Sequence, residues 1–368
     1  MVQGADVFVI GGGPAGLAAA IAARKKGLRV TVADGRCPSI DKACGEGLTP
    51  DGVAALQDLG ICVAAHEGFG FRGIRFLDQD SAASADFPAG HGLGLRRPVL
   101  HGKLVEYARA QGVSFRWDTP VVGICHKGVI LPDGVVPAKW IIGADGIGSR
   151  VRKWSGLDAA VRSGRRFAVR RHYRIAPWSD FMEIYWGANA QAYVTPVGSE
   201  EVCVVLISGR SRLRFTCIDA EFPELAQRLA AATPANAERG AMTIMQRLKC
   251  VYRGRVALIG DASGSVDAIT GEGLCLGFRQ ALALADALEA GDLGLYQQAH
   301  RHLSRRPELM GRLMLLLDGR TALRERALRA LASDGDVFAR LLAVHAGAES
   351  RVRVAATSAL LGWRLVAA

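Results

Sequence analysis

The chain has 368 residues, of which 50% are hydrophobic and 22% are charged. This length corresponds to about two domains of roughly 150 residues each. The apolar fraction supports a full core, which excludes a disordered chain and a disulfide-stapled miniprotein. The net charge of +11 raises nucleic acid, an anionic membrane surface and acidic ligands as partners. The sequence has no RNP motif, zinc finger or aromatic-interleaved basic strand, so we expect no nucleic-acid partner.

The eight cysteines form no CxxC pair and have no metal-ligand spacing with the eight histidines. We therefore expect free thiols in a reducing compartment and no metal site. The N-terminus lacks the pattern of a signal peptide, and no apolar stretch reaches 18 residues. These features predict a soluble, cytoplasmic protein, with a peripheral membrane contact still open.

The first 35 residues read as a βαβ unit. Residues 6–10 are a β-branched apolar run, residues 17–26 form an Ala-rich helix that ends at Gly27, and residues 28–33 form a second strand. Between the first strand and the helix lies the motif Gly11-x-Gly13-x-x-Gly16. Such a turn lets backbone N–H groups approach a pyrophosphate at the helix N-terminus. Asp34 ends the second strand and can accept both ribose hydroxyls of an adenosine, so NAD and FAD both fit this motif.

Residues 166–208 alternate polar and apolar positions in four short runs separated by turn residues. This pattern predicts a half-buried antiparallel sheet in a second domain. Residues 256–260 again resemble a parallel strand, residues 273–290 a helix, and the chain after about residue 294 is helical. The fold class predicted is therefore α/β.

Two further motifs join a strand to a Gly/Asp pair. Residues 140–150 read WIIGADGIGSR, and residues 254–264 read GRVALIGDASG and continue into DAITGEGL at 267–274. A short carboxylate at a strand end, as at Asp145 or Asp261, can hold a sugar or ribitol hydroxyl. Gly273 opens another helix, whose N-terminus can face an anion or the edge of a flavin ring.

Together the three motifs, in this order and spacing, resemble the FAD-dependent oxidoreductases of the para-hydroxybenzoate hydroxylase fold over about residues 5–290. This superfamily includes the class A flavin monooxygenases, the flavin-dependent halogenases and the geranylgeranyl reductases. The resemblance implies a Rossmann-like FAD-binding domain with a parallel sheet, formed by residues 1–75, 95–160 and 250–295. It also implies an antiparallel-sheet substrate domain, formed by residues 76–94 and 161–249, and a helical region at 296–368.

The same resemblance implies roles for individual residues. The FAD pyrophosphate would lie on the glycine loop formed by Gly11, Gly13, Pro14, Ala15 and Gly16. Asp34 would hold the adenosine ribose, with Gly35 and Arg36 beside it, and the backbone of Val121 would meet the adenine. Asp261, after Gly260, would bind ribitol and pyrophosphate.

Other matched positions lie nearer the flavin ring. Arg97 matches a flavin-facing arginine, and Gly271, Gly273 and Leu274 would lie beside the isoalloxazine. Asp145 matches a residue that stabilises the fold and shares in docking the nicotinamide cofactor.

One segment narrows the branch of the superfamily. Residues 41–48, DKACGEGL, resemble the KxCGE-type segment of the halogenase and geranylgeranyl-reductase branch. Ala268 stands where that branch usually has proline. The likeness places Cys44 and Gly45 near the flavin, where Cys44 would pack or contact the ring, or take part in redox chemistry.

Three reactions compete. A halogenase uses a lysine between flavin and substrate, but residues 43–102 hold no lysine, and residues 191–196 hold no tryptophan of the halogenase type. A monooxygenase needs one nucleotide fold only, since NAD(P)H visits transiently, and one GxGxxG agrees with this. His172, Tyr173, Tyr185 and Tyr193 are candidate substrate partners, although each could equally be a sheet-packing residue, so no catalytic residue is assigned.

We therefore expect an FAD-dependent monooxygenase that uses NAD(P)H and O₂ to hydroxylate an aromatic, phenolic-lipid or polyketide-type substrate. The alternative is a geranylgeranyl-reductase-like enzyme acting on a lipid-like alkene. The last 68 residues hold twelve arginines and six acidic residues. Their apolar and arginine positions repeat at helical spacing, which fits helices packed on the catalytic domains or a basic surface resting on anionic lipid.

Overall fold

The computed structural model describes residues 4–78, 81–211 and 213–345. Its strands, in chain order, are β1 Ala5–Ile10, β2 Val30–Ala33, β3 Gly47–Leu48, β4 Phe69–Phe71, β5 Gly73–Leu77, β6 Ala82–Asp86, β7 Gly92–Gly94, β8 Ser114–Arg116, β9 Gly123–Ile124, β10 Gly128–Leu131, β11 Gly134–Gly143, β12 Ala160–Arg174, β13 Phe181–Trp186, β14 Gln191–Gly198, β15 Glu201–Ser208, β16 Thr233–Pro234, β17 Arg239–Leu248, β18 Tyr252–Arg253, β19 Val256–Leu258 and β20 Gly264–Ser265.

The α-helices are α1 Pro14–Lys25, α2 Pro50–Asp58, α3 Arg97–Ala110, α4 Arg150–Trp154, α5 Ile218–Glu221, α6 Pro223–Leu229, α7 Gly273–Ala290, α8 Leu293–Asp318, α9 Thr321–Ser333 and α10 Gly335–His345. Short 3₁₀ turns cover Phe215–Cys217, Gly260–Ala262 and Ala268–Thr270.

The first sheet has the strand order β18-β19-β11-β1-β2-β8, and β1 pairs in parallel with both β11 and β2. Helices α1, α3 and α7 bury their apolar faces together with strands of this sheet, with Leu17, Leu104 and Phe278 almost fully buried. The predicted βαβ unit is confirmed, but α1 begins at Pro14 rather than at Leu17. Proline is favoured at the first helical position because its missing N–H would have no partner there.

The second sheet has the order β20-β17-β12-β15-β14-β13-β5-β6. Its pairs are antiparallel except β13 with β5, which is parallel. The antiparallel sheet predicted over residues 166–208 is confirmed, although the sheet also contains β5, β6 and β17. Strand β17 was not predicted, since its buried and exposed positions do not alternate cleanly.

The two faces of this second sheet have different neighbours. One face packs Val194, Val204 and Leu206 against α5 and α6. The other face turns toward the first sheet and extends under the C-terminal helices, where Phe338 of α10 stacks on Phe76 of β5 with ring centroids 4.9 Å apart. The face that meets both the first sheet and the tail is therefore the one that positions the site.

The tail is helical over its described part, as predicted, and α9 and α10 pack on β6. Arg324 of this tail does not contribute to a basic surface, because it is 4% exposed. Its guanidinium lies 3.2 Å from Asp78 and stacks over Trp186. Arg351, Arg353 and Arg364 lie outside the described residues. Within the described ranges, no helix is both long and apolar enough to cross a bilayer.

Candidate functional site

A cavity of about 850 Å³ lies between the two sheets. It is bordered by the carboxyl ends of β1, β2, β11 and β19 on one side and by the second sheet on the other. All the cofactor-binding residues predicted from the sequence line this cavity except Gly16. Residues spread over 260 positions of the chain therefore meet at one place.

The glycine loop is shaped by two close backbone approaches. Gly11 has φ +112°, and a Cβ there would overlap the carbonyl of Ala144. A Cβ on Gly16 would overlap the carbonyl oxygen of Gly11, so Gly16 serves the contact between helix and strand rather than the cavity wall. The residue before α1, Gly13, offers no side-chain cap. The first N–H groups of α1 are thus left for an anionic ligand.

The carboxylate of Asp34 lies at the end of β2, beside the glycine loop. Its Oδ2 accepts the N–H of Gly12 at 2.7 Å, and its Oδ1 accepts the N–H of Arg36 at 2.9 Å. Val121 and Gly35 line the same end of the cavity. These contacts orient a carboxylate where a ribose would need one, next to a helix N-terminus that suits a phosphate.

A second carboxylate, that of Asp261, follows β19. Its Oδ2 lies 3.0 Å from Nζ of Lys42, a residue that sequence reasoning did not single out. Arg97 lines the cavity nearby, and its buried Nε atom has no hydrogen-bond partner among the described residues. The cations and the open helix N-terminus make this end of the cavity fit a diphosphate such as that of FAD.

Asp145 has a local structural role. Its carboxylate accepts the hydroxyl of Ser149 at 2.5 Å and the backbone N–H groups of Arg150 and Val151 at 2.7 and 3.1 Å. The two N–H donors belong to the first turn of α4, so Asp145 supports the start of this helix beside its N-cap residue, Ser149, whose hydroxyl accepts the N–H of Arg152. A share in docking a nicotinamide cofactor stays a prediction.

The segment that contains Cys44 and Gly45 is held by Glu46, which sequence reasoning missed. The Glu46 side chain is fully buried. Its Oε1 accepts the backbone N–H of Arg97 at 2.9 Å and a guanidinium N–H of Arg170 at 3.0 Å. Glu46 also has φ 59°, the left-handed region that costs a non-glycine residue roughly 1 kcal/mol or more. The buried contacts stabilise this unfavourable backbone.

His172 completes the contacts of Glu46, with Nε2 and Oε2 2.6 Å apart. The backbone N–H of His172 binds Oδ1 of Asn236, so the amide of Asn236 turns Nδ2 toward Nδ1 of the ring at 2.7 Å. Nδ1 therefore accepts and Nε2 donates, which describes a neutral imidazole. His172 is engaged in this network and does not line the cavity, so it is not available as a substrate partner there.

One face of the second sheet carries rows of side chains, of which Thr195, Tyr193, Val205, Ile207 and Ala168 line the cavity. Aligned across β14, β15 and β12 are Thr195, Cys203 and His172 in one row, Tyr193, Val205 and Arg170 in the next, and Gln191, Ile207 and Ala168 in the third. Of the four candidate substrate partners, Tyr193 alone lines the cavity. Tyr173 and Tyr185 lie on the opposite face, where burial raises the pKa of both phenols.

Tyr193 donates its hydroxyl to the carbonyl of Ile269 at 2.7 Å. Burial raises the pKa of Tyr193 well above its usual value, so the phenol stays protonated. The residue therefore offers the cavity its ring rather than a base.

Glu272, at the start of α7, is a second residue that sequence reasoning did not assign. It lines the cavity, is 8% exposed, and its burial raises the pKa of the carboxyl from 4.5 to about 8. The positive charge of Arg306 opposes this rise. Glu272 stands in the sequence motif TGEG at residues 270–273. Its protonation could not be predicted from that motif, because it depends on burial, which the tertiary structure sets.

Substituting Glu46 tests whether the buried ion pairs hold the cavity wall. Glu46→Gln keeps the shape but leaves Arg170 without its full counter-charge, so we expect the free energy of unfolding to fall by roughly 3 kcal/mol. Glu201→Gln is the control, because Glu201 pairs with Arg96 at 2.6 Å but is 24% exposed. Its loss should stay below about 1 kcal/mol in the same urea titrations. Equal losses would contradict the structural role of Glu46.

Glu272 predicts a specific dependence of stability on pH. Its pKa is 4.5 unfolded and about 8 folded, so between these values the folded protein retains a proton that the unfolded chain has lost. Stability is therefore lost as the pH rises through this window and is constant above it. Glu272→Gln resembles the neutral acid. Its free energy of unfolding should therefore equal that of wild type near pH 4.5 and exceed it above about pH 8 by about a few kcal/mol.

The matched control for this pH series is Glu289→Gln, an exposed residue on the same helix. Urea unfolding at both ends of the window would measure the difference. If wild type and Glu272→Gln have parallel pH profiles, the neutral buried acid is excluded.

Comparison with known proteins agrees with this geometry. A family model described as an FAD binding domain matches residues 4–294. Menaquinone reductase from Mycobacterium tuberculosis is 28% identical over 316 residues, covering 78% of each chain. A putative 2-heptyl-3-hydroxy-4(1H)-quinolone synthase from Rhodococcus erythropolis is 29% identical and covers 82% of this chain and 85% of its own. 6-methylpretetramide 4-monooxygenase from Streptomyces rimosus is 36% identical over 174 residues, 41% of each chain.

Solved structures show the same fold. A flavoprotein/dehydrogenase from Cytophaga hutchinsonii superposes with a TM-score of 0.80 at 20% identity, covering 93% of this chain and 92% of its own. A geranylgeranyl bacteriochlorophyll reductase-like protein from Thermoplasma acidophilum gives 0.71 at 19% identity, covering 98% and 97%. The glycine loop, the carboxylates of Asp34 and Asp261 at the cavity, and the family match lead to one conclusion. The chain belongs to the FAD-binding family and is an FAD-dependent oxidoreductase.

Proposed function

We propose that this flavoprotein is a monooxygenase that takes electrons from NAD(P)H and inserts one oxygen atom of O₂ into an aromatic substrate with an apolar substituent. The observation that carries the proposal is the wall formed by the second sheet. Every residue of β12–β17 that lines the cavity is uncharged, and most are apolar, including Ala168, Met182, Tyr193, Val205, Ile207 and Met242. A neutral, largely apolar substrate fits such a wall, whereas an ionised one would lose its hydration without compensation.

Bound FAD would supply the redox chemistry, accepting a hydride and activating oxygen. The protein's own residues would hold the cofactor and enclose the substrate. The glycine loop and Arg97 bind the diphosphate end, and the apolar rows of the sheet keep water from the reacting atoms. Glu272 holds a proton at its carboxyl below about pH 8, so it can act as an acid at the cavity at neutral pH.

The names of three relatives support an oxygenated ring as substrate. One is named for reducing menaquinone, one for oxygenating 6-methylpretetramide, and one for making a hydroxyquinolone. One nucleotide-binding motif in the chain supports a nicotinamide donor that visits and leaves. In balance, the substrate C–H, O₂, NAD(P)H and a proton yield the hydroxylated product, water and NAD(P)⁺.

A second candidate is a reductase that saturates an alkene of a lipid-like substrate. The observation that favours it is the half-buried thiol of Cys44, which lines the cavity. A thiol there can give a proton to one alkene carbon, and bound FAD, reduced by NAD(P)H, would supply the hydride that adds to the other. Menaquinone reductase, which aligns over 78% of this chain, supports the same alternative.

One probe separates the two reactions. A phenol that carries a prenyl group offers both a ring to hydroxylate and an alkene to saturate. Incubation of the holoenzyme with NADPH and isotopically labelled O₂ should add one labelled oxygen atom to the probe, measured by mass spectrometry. A product heavier by two hydrogens and free of label, formed equally without O₂, would show the reductase instead.

The cofactor assignment has its own test. Asp261→Ala should reduce FAD affinity at least about tenfold, which corresponds to roughly 1.4 kcal/mol, the worth of a good hydrogen bond to a charged group. The ratio of flavin to protein absorbance after gel filtration measures this. Asp86→Ala, which breaks an exposed ion pair with Arg72 of the same 3.0 Å length, is the control and should stay yellow. Full flavin retention in Asp261→Ala would refute the role of Asp261.

A further inference from the structure

Thr195 carries a hydroxyl that is buried at the wall of the cavity and bonded to nothing in the described part of the chain. The residue is 1% exposed, lies on β14 and lines the cavity. Its Oγ1 atom has no hydrogen-bond partner among the described residues. Buried polar groups in folded proteins are almost always paired, and leaving one unpaired costs roughly 1–3 kcal/mol. A group of this kind at a cavity wall points to a ligand atom that satisfies it.

Thr195 lies at the border between the second sheet and residues 41–48, which we call the cofactor segment. On the neighbouring strands its row contains Cys203, and Met182 lies beside it. Gly47 packs directly against Thr195, since a Cβ added at Gly47 would be 3.7 Å from Oγ1 of Thr195. Gly47 follows Glu46 directly, in the segment whose Cys44 and Gly45 also line the cavity.

Neighbouring polar groups of the wall do not substitute for this hydroxyl. Tyr193, two residues earlier on the same face, has already donated its hydroxyl to Ile269. Thr243 of β17 also lines the cavity with an unpartnered Oγ1, but it lies on an outer strand beside the partly exposed Met242. Thr195 is thus the fully buried hydroxyl in an otherwise apolar stretch of wall.

We propose that Thr195 selects the substrate by a hydrogen bond to an oxygen atom on its ring, either a phenolic hydroxyl or a quinone-type carbonyl. A threonine hydroxyl can donate to the carbonyl and can both donate to and accept from the hydroxyl. A substrate that lacks this oxygen leaves the Thr195 hydroxyl unpaired. The site therefore binds such a substrate more weakly than one that carries the oxygen. This inference rests on the proposed function only in placing an aromatic substrate in the cavity.

Binding to the holoenzyme tests the proposal without any turnover. The probes are p-propylphenol and propylbenzene, which differ by one hydroxyl, and the readout is the change in the absorbance of bound FAD on titration. Wild type should prefer the phenol at least about fivefold, because leaving a buried hydroxyl unpaired costs roughly 1 kcal/mol or more. Thr195→Val, which keeps the shape, should reduce the preference to within about twofold. Thr195→Ser, which keeps the hydroxyl, should restore it.

Thr243→Val is the matched control and should keep the wild-type preference. The proposal is overturned if Thr195→Val retains the preference, if Thr243→Val is the variant that loses it, or if neither probe binds wild type. It is also overturned if Thr195→Val loses FAD while the preference of the remaining holoenzyme is unchanged, since the hydroxyl would then serve the cofactor. Because binding needs no catalysis, an enzyme that proves to be a reductase leaves this result standing, so the two failures are distinguishable.

Discussion

The buried carboxylate of Glu46 joins the second sheet to the segment of residues 41–48 and to α3. It receives an ion pair and a hydrogen bond from Arg170 and His172 of β12, and a backbone N–H from Arg97 at the start of α3. A buried charge of this kind is strongly destabilising unless all its partners are present together. The second sheet, the cofactor segment and α3 are therefore fixed relative to one another, and the cavity between the sheets is a consequence of that constraint.

This constraint explains why the cofactor segment can hold a left-handed residue. Most positions with positive φ in the described chain are glycine, yet residue 46 is a glutamate. A glycine there would relieve the backbone but remove the charge that Arg170 and the N–H of Arg97 require. The side chain contributes more than the backbone loses, and the segment that carries Cys44 and Gly45 is held at the cavity wall as a result.

The contrast between sequence and structure follows the range of the interactions. The glycine loop, Asp34, Asp145 and Asp261 could be predicted because each begins within three residues of the end of a strand, in a local pattern a few residues long. Glu46 and Arg170 are 124 positions apart, so no local pattern links them. The choice among Tyr173, Tyr185 and Tyr193 depends on the face of the sheet. Period-2 alternation groups the residues of one strand, but which face meets the cavity is set by packing between the sheets.

Several of the arginines lie inside the protein, where each is paired with a carboxylate. Arg170 connects β12 to the cofactor segment, and Arg152 connects α4 to the carbonyl of Ala262 after β19. Arg324 connects the tail to Asp78 at the end of β5. Each is at most 4% exposed, and each lies where two parts of the fold meet. Arginine suits such junctions because its planar guanidinium binds carboxylates and carbonyls in several directions while remaining charged. A high arginine content therefore does not by itself indicate a nucleic-acid or membrane surface, because part of it joins elements of the fold through buried ion pairs.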